Sequence, residues 1–460
     1  MTKFFLRRMM LFCVLTLTVH AALIGQVNPN ASEKTRILYN NLKIIQQSDQ
    51  FLFGQEFFNS FRYSSGGAHG DEEYSDSKAV TGAHPAVLGS DFHYYLDKSE
   101  TERGYHTDAV KWAYKQGYVI TFDWHISGRG TTTYEYREET KNLVNNIVND
   151  LNGDRAWLYE QFDKVIDIIN NDLVVDNERI PIVFRPWHEM NGGWFWWGSR
   201  STTPANYQAL YKLTVEYFKA RTTSVLFCWS PNSPATNENH FPGKEYVDIV
   251  GLDAYEVNSS SLRSNLGFLT DLAKSNDLVA VFSETGNRTD DGHNAATYWN
   301  DVVLPAIMGD PTGKSKRIAW VLTWINASWS YPYVPHNGSP STARQSFTAF
   351  RNSTNVLFGD EIANVYIPMD PPVAVELNAT DTDDLELFPV PSSGKVTISL
   401  KNFTFPVRIA VYDHHGRELS EMDVRSPETT IDAAQLFVPG VYTLKASDKK
   451  RSISKRVVIE

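Results

Sequence analysis

Cysteine is nearly absent from this chain: two in 460 residues, Cys13 and Cys228. Cys13 lies in an N-terminal stretch that reads as a secretory signal, so its removal leaves one thiol and excludes an intramolecular disulfide. No Cys/His cluster has the spacing of a zinc site, and neither a metal nor an organic cofactor is expected. Basic tracts are missing too, and the formal net charge is -11. That balance excludes ordinary nucleic-acid binding. The apolar run from Met9 to Ile24 is short for a bilayer span and gives way to polar Gln26-Val27-Asn28-Pro29-Asn30, which disfavours an anchor.

What is plentiful is aromatic: 13% of the chain, including 12 Trp and 22 Tyr. With an apolar fraction of 42%, the chain can bury a large core and still display rings. Lys3, Arg7 and Arg8 precede the apolar run, so residues 1–25 form the expected signal peptide. Residues 26–368 form the expected main domain. Residues 369–384, with Met369-Asp370-Pro371-Pro372, read as a linker, and 385–460 as a small all-β sandwich.

The main domain alternates short apolar runs with helix-period sequence. Eight strands are expected: Phe51 to Phe53, Ala86 to Leu88, Tyr118 to Phe122, Ile182 to Phe184, Val225 to Trp229, Ile249 to Leu252, Val279 to Phe282 and Ile318 to Leu322. Helical pattern follows each but the last, for example Trp157 to Ile169 and Pro204 to Thr222. An eightfold β/α alternation predicts an α/β fold of the (β/α)8 TIM-barrel type.

The densest chemistry lies in Arg185-Pro186-Trp187-His188-Glu189-Met190-Asn191-Gly192-Gly193-Trp194-Phe195-Trp196-Trp197-Gly198. A carboxylate beside a wall of indoles suits sugar chemistry, because a carboxyl in a partly dry pocket keeps its proton near neutral pH. Downstream, Ser283-Glu284-Thr285-Gly286 closes another apolar strand with a second carboxylate. In a parallel barrel both strand ends open on one face. Two facing carboxylates are the minimum for glycoside hydrolysis. Other strand ends offer Gln55-Glu56, Asp91, Asp123-Trp124-His125, Trp229-Ser230-Pro231-Asn232, Asp253-Ala254-Tyr255 and Trp324. Asp91 and Asn232 are equally readable as helix caps.

At these residues the chain resembles glycoside hydrolase family 26, over roughly residues 35 to 365. The resemblance implies a retaining enzyme of endo-β-1,4-mannanase type, with Glu189 as acid/base and Glu284 as nucleophile. It implies that His188 hydrogen-bonds near the nucleophile and that Tyr255 donates to Glu284 or to the sugar. It puts Trp324 under the sugar at the cleavage point, His125 and Asp91 on the non-reducing side, and Trp194 on the leaving-group side. Arg185 buttresses the two glutamates. The carboxyl groups should stand about 5 to 5.5 Å apart. Where many relatives carry Trp-Arg-Asn, this chain has Trp324-Ile325-Asn326, so contacts beyond the cleavage site are not carried over.

Within the same family β-1,3-xylan and mixed-linkage β-glucan are alternative substrates, and a non-catalytic glycan-binding protein is the alternative of another class. The C-terminal segments Phe388 to Gly394, Val411 to Arg417 and Pro439 to Tyr442 resemble a type IX secretion sorting domain. That implies contact with the secretion machinery, then a secreted or outer-surface location. The partners expected are thus a mannan-class polysaccharide and the export apparatus; oligomeric state is not legible.

Overall fold

The computed structural model describes residues 27–64, 66–255, 258–288, 297–369, 384–390, 392, 394–412, 418–432, 440–448 and 452–459. The expected signal peptide and most of the expected linker lie outside them. Two compact units divide the chain, Met1–Ile367 and Pro368–Glu460.

The first unit is a closed parallel barrel. Its strands, numbered in chain order, are β1 Phe51–Glu56, β2 Val87–Asp91, β3 Val119–Asp123, β4 Ile182–Arg185, β5 Val225–Trp229, β6 Ile249–Tyr255, β7 Val279–Gly286 and β8 Trp320–Thr323. Each pairs with the next, and β8 pairs with β1 to close the ring. Every strand is buried almost throughout. That is why the sequence shows continuous apolar runs and no alternation: helices cover the outside and side chains fill the inside.

The helices start where the sequence supplies caps. Ser32 caps Glu33–Gln47, Ser99 caps Glu100–Lys115 and Asn258 caps Ser259–Asn276, each accepting a backbone N–H with its side chain. Thr203 caps Pro204–Lys219, whose first residue is a proline already fixed at a helical φ. Two expectations need correction. The helix expected over Trp157 to Ile169 runs Asp154–Asp167 and ends in a π-turn, Ile168–Asp172, and a shorter helix, Leu143–Val148, precedes it. No helix lies between β5 and β6, where residues 230–248 are irregular. That connection is held instead by polar contacts, such as the donation from Ser233 N to Asp253 O at 2.7 Å.

In the second unit, β9 Leu385–Phe388, β10 Lys395–Leu400 and β13 Glu428–Asp432 form one antiparallel sheet. A second contains β11 Val407–Tyr412, β12 Glu418–Val424, β14 Gly440–Ser447 and β15 Ser452–Ile459. Leu385, Val396, Ile398 and Leu400 meet Val407, Ile409, Leu444 and Val457 in a shared apolar core.

Candidate active site

Strand register assembles the site before any loop is considered. Asp91 lies opposite Asp123, and Asp123 opposite Arg185. Glu56 pairs with Gly89, and a bulge after Gly251 sets Asp253 opposite Glu284. The C-terminal ends of six strands therefore bring five carboxyl groups and one guanidinium into the barrel mouth. All six side chains are buried.

Arg185 is the hub. One guanidinium nitrogen donates to Asp253 at 2.7 Å; the other donates to Glu284 at 2.6 Å and Asp123 at 3.0 Å. Ser230 and Ser283 add donors to Asp253 at 3.0 and 2.7 Å. One cation cannot neutralise so many carboxylates, so protons must be shared. Burial raises Asp253 to about 7 against the pull of Arg185, and burial together with neighbouring negative charge holds Glu56 and Asp123 well above the carboxylate range. Glu56 sits so close over Gly89 that a Cβ there would come within 2.2 Å of the carboxyl group. Only glycine permits that approach.

Glu284 spends one oxygen on Arg185 and accepts a 2.6 Å hydrogen bond from the Tyr255 hydroxyl on the other. Two strong donors fix its orientation. Glu189 has the opposite setting. It is buried; desolvation first, then the nearby charges of Glu284 and Asp253, push its pKa well up, while the indole of Trp194 donates at 2.7 Å and opposes the shift. One carboxyl group is gripped by two donors, and the other is pushed toward its protonated form by burial.

The loop carrying Glu189 is strained into place. Trp187 and Glu189 both take left-handed backbone, φ 56° and 54°, a conformation costing about 1–3 kcal/mol each for ordinary residues. Packing holds it. Trp187 donates to Thr214 at 2.9 Å, and Glu189 N donates to Ser230 O at 2.9 Å. Trp196 donates to Ile126 O and Trp197 to His188 O, both at 2.8 Å. The Trp194 ring lies across Gly192, where a Cβ would come within 2.3 Å of it.

The indole wall expected from the sequence is therefore mostly core. Trp187, Trp196 and Trp197 are buried; only Trp194, 43% exposed, faces solvent. The cleft has a volume of about 460 Å³. Of the expected residues, Glu189, Glu284, His125, His188, Trp194, Tyr255 and Trp324 line it together. Asp91 and Arg185 stand behind. Asp91 holds His125, accepting from its Nδ1 at 2.8 Å and its backbone N at 3.1 Å, and its pKa is lowered by His125 in spite of burial. It does not reach the cleft. Arg185 makes its hydrogen bond to Glu284, and none to Glu189.

His188 likewise departs from expectation. Among the described residues its ring makes no hydrogen bond to Glu284; it packs edge-on against His125 at 4.7 Å and beside Phe195 at 5.1 Å. Burial, then the charge of Arg185, keeps it neutral. Asp123, His125 and His188 also bring metal-ligand atoms within 4.8 Å of one another, but Arg185 already supplies the positive charge at Asp123. Tyr134, Phe195, Arg288 and Tyr333 line the cleft without having been singled out as site residues. All but Phe195, which sits inside the tryptophan motif, come from loops with no strand-end signal.

Two carboxyl groups in contrasting settings on one aromatic cleft, at the C-terminal face of a (β/α)8 barrel, define a glycosidase-type site. Comparison with known proteins carries this to a family. Residues 27–296 match glycosyl hydrolase family 26, and residues 386–460 match a secretion system C-terminal sorting domain. The chain belongs to glycoside hydrolase family 26. A mannan endo-1,4-beta-mannosidase of Bacillus subtilis is 26% identical, over 76% of this chain and 94% of that protein. One of Bifidobacterium adolescentis is 24% identical over 72% of this chain, but the match spans only 35% of its length. Among solved structures, a family 26 beta-mannanase of Bacteroides ovatus superposes with a TM-score of 0.65 at 25% identity, covering 73% of this chain and 98% of that one. The catalytic domain of a Bacillus sp. JAMB-750 endo-beta-1,4-mannanase gives 0.66 at 28% identity, covering 75% and 96%.

Proposed function

We propose that this protein is a secreted retaining endo-β-1,4-mannanase. The observation that carries the reading is the contrast between Glu189 and Glu284 across one cleft. The Glu284 oxygens are held by Arg185 and Tyr255, which orient an anion for attack on an anomeric carbon. Glu189 keeps its proton by burial and donates it to the leaving oxygen. The glycosyl ester on Glu284 is then released by a water from which Glu189, now ionised, takes a proton. Trp194 does two jobs: its indole N–H orients Glu189, and its exposed face offers a platform for the leaving sugar. Trp324 and His125 present the opposite wall, their rings 5.8 Å apart. Retention requires the two carboxyl groups to act about 5 to 5.5 Å apart.

Mannan as substrate is supported by the relatives' activity, and export by the sorting-domain match, which points to the type IX machinery and to the cell surface or medium. The test is incubation with linear mannan, galactomannan, β-1,3-xylan and lichenan, with products resolved by length and anomeric configuration followed by NMR. Manno-oligosaccharides of several lengths with retained configuration are expected. Products from xylan or lichenan alone would overturn the substrate, and inverted configuration the mechanism.

A further inference from the structure

The segment from Trp124 to Tyr134 has two faces. His125 and Tyr134 point into the catalytic cleft. Trp124, Ile126 and the turn Gly128 to Thr131 line a separate cavity of about 230 Å³ on the other side. The opposite wall is one face of the helix Asp154–Asp167, where Trp157, Gln161 and Lys164 recur at helical spacing.

The chemistry of this cavity selects its ligand. Trp124 is buried and forms an apolar floor, and Trp157 is half-buried and stands as a wall, its ring 6.4 Å from that of Trp196. Around them stand Asp97, Arg129, Gln161 and Lys164. The charges balance locally. Arg129 is paired with Asp154 and donates to Asn152 O at 2.8 Å; Asp97 meets His93 at 3.0 Å. Lys164 donates to Gln161 Oε1 at 3.1 Å, so the amide nitrogen of Gln161 is turned away from that contact. Lys164, exposed beside a neutral amide, would give a phosphate or carboxylate one point contact and no bidentate partner, since Arg129 is already engaged by Asp154. The volume is below the roughly 300–1,000 Å³ of pockets for drug-sized ligands. The loop is also fixed before any ligand arrives: Gly128 N donates to Thr133 O at 3.0 Å, and the Thr131 hydroxyl donates to Gly128 O at 2.8 Å.

We infer that this cavity is a second carbohydrate site, which takes one pyranose unit of a neutral polysaccharide against Trp157 and holds the polymer beside the cleft. The inference rests on the glycan-hydrolase reading above. Its physical use is proximity: a chain held by the back of the His125 loop raises the local concentration of the same polymer at the front.

The test uses the full chain carrying Trp157→Ala. Because Trp157 also packs near Trp196, a second variant, Gln161→Ala with Lys164→Ala, changes only the outer helix face. Both are compared with wild type for hydrolysis of mannotetraose and for retention on insoluble mannan. Unchanged rates on mannotetraose and about fivefold weaker retention of both variants on mannan are expected. Equal retention of all three proteins overturns the site, as does a parallel loss on mannotetraose, which would mean that the helix merely supports the cleft. Should wild type hydrolyse no mannan, the mannanase reading fails separately. Retention on xylan, lichenan and cellulose then decides: dependence on Trp157 with any of them keeps the site, and none removes it.

Discussion

The barrel mouth and the C-terminal sheets bury different things. The mouth buries Glu56, Asp91, Asp123, Arg185, Asp253 and Glu284 side by side, with Asp123, Asp253 and Glu284 joined through Arg185. The C-terminal unit keeps its ion pairs outside, as with Lys401 and Glu386 or Arg408 and Glu421, and packs an apolar interior. Burying ionisable groups costs several kcal/mol per ion before pairing returns any of it. The mouth tolerates that cost because the surrounding strands are buried on both faces and cannot relax to admit water. The small unit has no such surroundings, and its strands simply alternate, as β10 does. The buried carboxyl cluster belongs to the first unit and the sorting-domain match to the second.

The comparison predicts separable effects. The largest is expected at Glu284. Glu284→Ala should lower kcat on mannan by about 10⁴-fold or more, with little change in melting temperature, since Arg185 keeps Asp123 and Asp253; a melting shift as severe as the activity loss would make Glu284 structural. Next is Glu189→Gln, which should cost about 10²- to 10⁴-fold on polysaccharide but far less on an aryl glycoside whose leaving group needs no proton. The same variant bears on pH. Glu189 must be protonated to act as the acid and its pKa is raised, so wild-type rates should fall as pH climbs through that raised value. This alkaline limb should vanish from the variant's profile with the activated aryl glycoside.

Arg185→Met acts on stability. It leaves Asp123, Asp253 and Glu284 without their shared cation, and urea titration should show a loss of about 3–5 kcal/mol. A neutral result would mean that the carboxyl groups discharge by protonation alone. The smallest effect should follow from ending the chain at Met369. Hydrolysis of soluble mannan should stay within about twofold, as additivity of independent sites suggests, while export from the native host is lost. A large fall in activity would show that the two units depend on each other.

Much of this was legible in the linear chain. All eight barrel strands fell where apolar runs stood, because a strand buried on both faces leaves a mark that survives without context. Both glutamates were legible as carboxylates close to the end of such a run, Glu284 within its strand and Glu189 on the loop that follows β4. The errors cluster where a side chain's direction is set by loop geometry. Trp194, Trp196 and Trp197 are neighbours in sequence, yet two are buried, with their indoles bonded to Ile126 O and His188 O, and one is exposed. Asp91 was legible as a strand-end residue, but its carboxylate is consumed by His125 and His93. Asp123 and Asp253 were visible as polar strand ends without a role, since only the register shows that they share one guanidinium with Glu284. Only the register likewise shows that Glu56 packs over Gly89.

The sequence by itself determined the barrel, the small β unit and the two carboxyl groups, because burial pattern and strand-end position are local properties of a chain. The tertiary structure alone decided that burial pushes Glu189 toward its protonated form, which tryptophan faces solvent and which polar groups stay behind the wall. Protonation and exposure are set by neighbours that lie far off in sequence, and Arg185 and Glu284, 99 positions apart, meet only when the barrel closes.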